Sequence, residues 1–266
     1  MGFKDFIRKV MFRREWTCVS CGVELFGEEY FCPDCIKKLP FIGANKCNHC
    51  GRSALLNEEY CDTCKNFFTS VDIARSVFDY RGKIAYLIQK FKFNGEKHLA
   101  TVFAKYMLPV MLKNFPRTDF ITFVPMTEKA RKKRRYNQTE LLANELSMLS
   151  NVPCYQAVTK KKETQRQVKL GKAERLKNLQ GAFSVIDKKL ISGKKILLID
   201  DVLTTGATAQ AIACLLKDKG AEQVYLLTIS SVPDKSIKKE NDNGFNKLYS
   251  GGRKQKKFKK TRRDVG

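Results

Sequence analysis

Long apolar runs are missing from this 266-residue chain. The longest fall far short of the roughly 20 residues that span a bilayer as a helix, so no membrane span is expected. The first twelve residues interleave charge with a short apolar pattern. They lack the continuous apolar stretch of a secretory signal, and the cytoplasm is the expected compartment. Acidic residues are also in short supply: 27 Asp and Glu stand against 51 Lys and Arg, a formal charge of +24. That excess attracts polyanions and speeds their encounter, which favours nucleic acid, a phosphorylated ligand or both without choosing between them. Apolar content of 43% is ordinary for a globular protein, and the length suits one sizeable domain plus a small one.

Cysteine is present in a pattern. Cys18-x-x-Cys21, Cys32-x-x-Cys35, Cys47-x-x-Cys50 and Cys61-x-x-Cys64 are four knuckles, with ten residues between the first two and ten between the last two. One metal module is written twice. Each knuckle supplies two thiolates, and two knuckles close a tetrahedral site. Eight such cysteines without an export signal point to two structural Zn2+ rather than disulfides. Two metallated sites, each carrying about −2, bring the protein nearer to about +20. Sequential ligation, 18/21/32/35 and 47/50/61/64, is the assignment, with an interleaved cross-brace of the same residues as the alternative. His49 lies inside a knuckle whose four thiolates already complete a site, and it reads as a neighbour. Closed sites have no position for a reacting water, so the module is a platform.

Lys195-Ile-Leu-Leu-Ile-Asp-Asp-Val-Leu-Thr-Thr-Gly-Ala-Thr208 is the stretch around which the rest is organised. Ile196–Ile199 read as a central parallel strand covered on both faces, ending in two carboxylates. A small-residue turn follows, then Ile212, Leu215 and Leu216 at helical spacing and a closing Gly220. Free N–H groups at a helix start suit a monophosphate, and two carboxylates suit neighbouring hydroxyls or a hydrated Mg2+. The pattern resembles the phosphoribosyl pyrophosphate (PRPP) signature of type I phosphoribosyltransferases. That resemblance implies ribose hydroxyls on Asp200 and Asp201, and a 5′-phosphate wrapped by Thr204, Thr205, Gly206, Ala207 and Thr208. The hypoxanthine-type branch has a carboxylate where Thr204 stands, so activity on a 6-oxopurine is disfavoured.

Phe120–Pro125 reads as the first strand of the main sheet. Six basic residues in seven positions follow at Lys129–Arg135, then Tyr136, Asn137 and Gln138. This is a basic loop at the carboxyl end of a strand, with Asn137 and Glu140 as a reciprocal cap for the next helix. Before it, Ile84, Leu87, Ile88 and Phe91 fall at helical spacing, and Lys92 is a candidate for facing a phosphate. His98 reads as surface or packing. Residues 160–183 are polar and basic, and are expected to be a mobile loop. Residues 253–266 carry eight Lys or Arg and one Asp, a basic tail suited to salt-sensitive contact with nucleic acid.

A double zinc ribbon ahead of such a domain is similar to the ComF family, associated with DNA uptake in natural transformation. Further matches are Tyr80, Leu87-Ile88 and Lys92-Phe93, and then Thr164, Gln167, Leu170, Arg175, Asn178, Gly181 and Phe183. The family's Arg-Gly-Phe-Asn-Gln stands here as Arg134-Arg135-Tyr136-Asn137-Gln138. If its glycine needs positive φ, Arg135 carries a cost on the order of a kcal/mol or more. The resemblance implies an α/β fold with a type I phosphoribosyltransferase-like parallel sheet at 71–232, a double zinc ribbon at 14–70 and a loose tail at 233–266. It further implies PRPP with Mg2+ as ligand, single-stranded DNA and a DNA-uptake helicase as partners, and candidate pyrophosphate or loop contacts from Arg134, Tyr136, Asn137, Gln138 and Arg175. Phosphoribosyl transfer to an acceptor the residues do not name is one outcome. A non-catalytic nucleic-acid adaptor or PRPP sensor is the other.

Overall fold

The computed structural model describes residues 17–27, 29–54, 59–66, 69–161 and 181–233. Its centre is a four-stranded, all-parallel sheet in the order β1-β6-β5-β2: β1 is Ile73–Asp79, β2 Phe120–Phe123, β5 Lys195–Leu203 and β6 Gln223–Ser231. The two inner strands are buried along almost their whole length, as expected where both faces are covered. Val158–Lys160 (β3) and Phe183–Val185 (β4) form a separate antiparallel pair.

Alternation along β5 and β6 divides the apolar side chains between two cores. Leu197, Ile199, Tyr225, Leu227 and Ile229 face helices α3 (Gly82–Phe93), α4 (Leu99–Asn114) and α6 (Gln138–Ser150). Ile196, Leu198, Val224 and Leu226 face α8 (Ala207–Asp218). Ile84, Leu87, Ile88 and Phe91 of α3 are buried together, as their spacing implies, and Ile212 and Leu216 of α8 likewise. Short helices α1 (Pro33–Ile36), α2 (Asp62–Asn66), α5 (Glu128–Arg134) and α7 (Lys188–Ile191) complete the described elements. No helix among the described residues is long and apolar enough to cross a membrane.

The structure corrects three local expectations. The main sheet begins at β1, so the strand at Phe120, expected to be its first, is not. β1 is an edge strand whose outer side is covered by the linker between the cysteine modules: Ile42 N–H donates to Val77 O at 3.0 Å and Asp79 N–H to Pro40 O at 2.8 Å. The basic stretch after β2 is the helix α5. Thr127 caps it through Ala130 N–H at 3.3 Å, and its cations fill the last turn, where the helix dipole favours them. The strand carrying the acidic pair continues through both acids to Leu203, pairing with β6 out to Ser231.

Candidate functional site

Two cysteine clusters assemble with sequential ligation. Cys18, Cys21, Cys32 and Cys35 form one; Cys47, Cys50, Cys61 and Cys64 form the other, with the sulfurs of each within 4.8 Å of one another. Cys21 and Cys32 Sγ lie 3.8 Å apart, and Cys50 and Cys61 Sγ 3.6 Å. Thiolates at about 2.3 Å around a tetrahedral zinc stand roughly 3.8 Å apart, so the donor sets fit Zn2+. His49 lies outside the second cluster, its Nε2 placed 2.6 Å from Val71 O.

At the second site, β5 delivers two acids beyond the last residue of β2, since Phe123 pairs with Ile199. The pleat sends neighbouring side chains to opposite faces, so Asp200 and Asp201 do not point the same way. Asp201 is buried on the α3 and α6 side. Lys92 Nζ sits 2.7 Å from its Oδ1, and Gln138 Nε2 donates to its Oδ2 at 2.8 Å. Lys92 therefore meets a carboxylate in this state. Asp200 Oδ1 accepts the Asp201 N–H at 2.8 Å. Burial and the neighbouring Asp201 charge push the Asp200 carboxyl up to about 7.

Past Leu203 the chain turns. Gly206 takes φ +79°, a left-handed conformation that glycine adopts without strain, and caps the twelve-residue α8. Ala207 N–H reaches Thr205 Oγ1 at 3.5 Å, and Ala207 itself is buried. The Gly206 and Thr208 N–H groups have no acceptor among the described residues. A helix start with donors to spare is chemically suited to an anion. At the same sheet end the hydroxyls of Ser230 and Ser231 are buried without a partner among the described residues.

The other expected contacts are distributed unevenly. Gln138 reaches the acidic pair, and Arg134 joins it indirectly: its Nη1 donates to Gln138 Oε1 at 3.4 Å, while its guanidinium lies 4.8 Å from the ring centre of exposed Phe93. Tyr136 and Asn137 are spent inside the protein. The Tyr136 hydroxyl donates to Phe91 O beneath a ring contact between the two side chains. Asn137 caps α6 through Thr139 N–H and donates to Val124 O. Glu140, expected to return the cap, pairs with Arg131 at 3.6 Å instead. Arg135 holds φ +68° as the end of α5, so a side chain occupies the position that glycine favours. Arg175 and the motif from Thr164 to Asn178 lie outside the described residues.

Sequence reasoning missed Arg52. Buried two residues after Cys50, it donates from Nε to Cys50 Sγ at 3.3 Å and from Nη2 to Thr204 O at 2.9 Å. One guanidinium thus ties the second cysteine cluster to the turn after the acidic strand. Gln210 of α8 adds a second tie, accepting the Thr69 and Ser70 N–H groups at 3.1 and 3.0 Å. The only local signal was a basic residue beside a knuckle.

Comparison with known proteins agrees with this architecture. Residues 9–65 match the double zinc ribbon domain and residues 127–248 the phosphoribosyl transferase domain. Competence protein F of Haemophilus influenzae is 29% identical over 223 residues, covering 79% of this chain and 95% of its own. Competence protein ComFC of Bacillus subtilis is 29% identical, covering 76% and 84%. The DNA utilization protein YhgH of Escherichia coli K12 is 29% identical, covering 68% and 81%. A zinc ribbon pair joined to a phosphoribosyl transferase domain, together with these relatives, supports a ComF family assignment.

Proposed function

We propose that the chain binds PRPP, or a related phosphorylated ribose, at the turn between β5 and α8, and that it serves DNA uptake with single-stranded DNA as a second ligand. The observation that supports the pocket is the pair of uncommitted N–H groups at Gly206 and Thr208, at the start of a long helix directly after two acids. The 5′-phosphate would take those donors. The ribose hydroxyls would meet Asp200 and, by displacing Gln138, Asp201. Both carboxylates are already engaged by protein groups, so Mg2+ would arrive on the diphosphate rather than wait in an acidic cradle. Exposed Lys132 and Lys133 of α5 would offset the charge of a departing pyrophosphate, which is electrostatic assistance rather than acid–base catalysis. The names of the relatives, competence protein F and DNA utilization protein, favour the DNA-uptake setting.

A sensor or adaptor without turnover is the second reading, favoured by the Lys92–Asp201 pair that closes one acid. Pyrophosphate release in a single-turnover assay separates the two.

Isothermal titration of PRPP with Mg2+ tests the pocket. Affinity is expected to fall at least about tenfold in Asp200→Asn/Asp201→Asn and in Gly206→Val, the latter because a β-branched residue resists φ +79°. Equal affinity in all three proteins overturns the reading. Asp200 supplies a fold control. Below about pH 4 both folded and unfolded chains hold its proton; between there and about 7 only the folded chain does. Stability from this group is therefore complete at low pH and lost as pH rises through that window. Melting of Asp200→Asn at pH 5 and pH 8 should differ less than melting of the parent.

A further inference from the structure

A cleft of about 510 Å³ lies between the cysteine modules and the outer face of α4, and it shares no lining residue with the β5–α8 turn. Four cations line it: Lys46 from the start of the second module, Arg75 from the edge strand, and Lys105 and Lys113 about two turns apart on one side of α4. Glu29 is the one acid among its lining residues. Neither Lys46 nor Lys113 has a carboxylate partner among the described residues. Arg75 spends its donors on Asn114 Oδ1 and on the carbonyls of Asn48, His49 and Ala74. These neutral acceptors hold the guanidinium in place.

Like charges gathered around a concave surface are unfavourable unless an anion completes them. The thiolates of the second module account for only part of the group: Arg52 meets them directly, at 3.3 Å from Cys50 Sγ, and Lys105 and Lys113 belong to a helix outside the modules. The cleft also has an aromatic wall. Phe41 is 44% exposed there, its ring backed by Phe78 at 4.8 Å and Tyr106 at 6.1 Å. A bare phosphate would leave that wall unused, and an apolar ligand would leave the cations unused. A planar ring joined to a phosphate uses both, and the volume lies within the range of small-molecule sites.

We infer that this cleft is a second ligand site that takes one nucleotide unit, its base against Phe41 and its phosphate among Lys46, Arg75 and Lys113. The unit can be a free nucleoside monophosphate or one residue of a single strand, since the chemistry is shared. The site stands independently of the PRPP pocket.

The test uses the full chain with its zinc, and the variants Lys113→Glu and Phe41→Ala. Lys113 is exposed, so its reversal leaves the fold intact, which melting and zinc content confirm. Thymidine monophosphate is titrated calorimetrically, and a fluorescein-labelled 12-nucleotide oligothymidylate by anisotropy over a range of salt. Expected are a loss of about tenfold in both variants, a salt slope lowered by about 0.7 for the single strand in Lys113→Glu alone, and unchanged PRPP affinity. Weakening of the oligonucleotide without measurable binding of the monophosphate assigns the site to a strand; weakening of both assigns it to either source. Unchanged binding of both probes overturns the inference, and so does a parallel loss of PRPP affinity, which would make the cleft an extension of the first pocket.

Discussion

The two cysteine modules have the same backbone and different employment. In the first, Cys18 N–H donates to Val23 O at 2.8 Å and Gly22 N–H to Cys18 O at 2.8 Å; in the second, Cys47 N–H donates to Arg52 O at 2.9 Å and Gly51 N–H to Cys47 O at 2.9 Å. Both ribbons close with the same short antiparallel bridge, Thr17 with Glu24 and Lys46 with Ser53. Side chains at matching positions part company. Val23 is 51% exposed, whereas its counterpart Arg52 is buried between Cys50 and Thr204. Glu24 corresponds to Ser53, whose hydroxyl donates to Asp79 at 2.8 Å. A spacing repeat fixes metal geometry, then, while the residues between the ligands decide which face of the domain each module joins: Cys18, Phe31 and Cys32 pack with Phe78 and Leu87, and Arg52 carries the second module to Thr204.

The largest expected difference comes from the ligands themselves. Cys47, Cys50 and Cys61 share a core with Leu203, Ala207 and Ile212; in the first module Cys18 and Cys32 are buried on the α3–α4 side while Cys21 is exposed. Cys50→Ser and Cys21→Ser should each lower zinc from two equivalents to one. Cys50→Ser is expected to destabilise the parallel sheet the more, by several kcal/mol and more than about 10 °C in melting midpoint, because three ligands of its module are buried and metal-driven folding there is continuous with the packing of α8. Zinc content and far-ultraviolet melting check this. Equal midpoints would mean that the modules are interchangeable.

What was legible in the sequence follows the range of the interaction. The cysteine ligation and the turn at Gly206 are written in a few consecutive residues, and the amphipathic spacing of α3 and α8 is equally local. Arg52 to Thr204 spans 152 positions and Gln138 to Asp201 spans 63, and no pattern in a single chain announces such partners. The edge strand β1 was hidden for a related reason. Ile-Ala-Arg-Ser-Val-Phe-Asp breaks alternation at Arg75, which serves knuckle carbonyls that only the folded chain brings beside it. The basic stretch was read as a loop from its charge, whereas Lys, Arg and Ala are good helix formers once Thr127 supplies a cap.

A smaller difference separates the two knuckle glycines. Gly22 has φ +79° with open space where a Cβ would stand, and Gly51 has φ +67° with Ala74 O 2.9 Å from that point. Alanine at 22 meets only the cost of positive φ, about 1 kcal/mol. Alanine at 51 must also push the edge strand off the knuckle, for a total on the order of 3 kcal/mol. Denaturant midpoints of the two variants measure the gap directly.

The smallest effect on stability is the most informative about function. Arg52→Met keeps the buried volume and removes both donors. Cys50 Sγ can rely on its metal, and Thr204 is exposed, so its carbonyl can turn to water and the lost hydrogen bond costs only about 0.5–1 kcal/mol. Val23→Ala, the matching change in the first module, should stay within about 0.5 kcal/mol. Since Thr204 opens the turn that carries the free Gly206 and Thr208 N–H groups, Arg52→Met should also weaken PRPP binding several-fold at unchanged zinc content, and Arg52→Lys, with one donor head for two acceptors, should recover only part of it. If Arg52→Met binds PRPP as the parent does, the second ribbon braces the domain without tuning its pocket, and the two modules differ in packing alone.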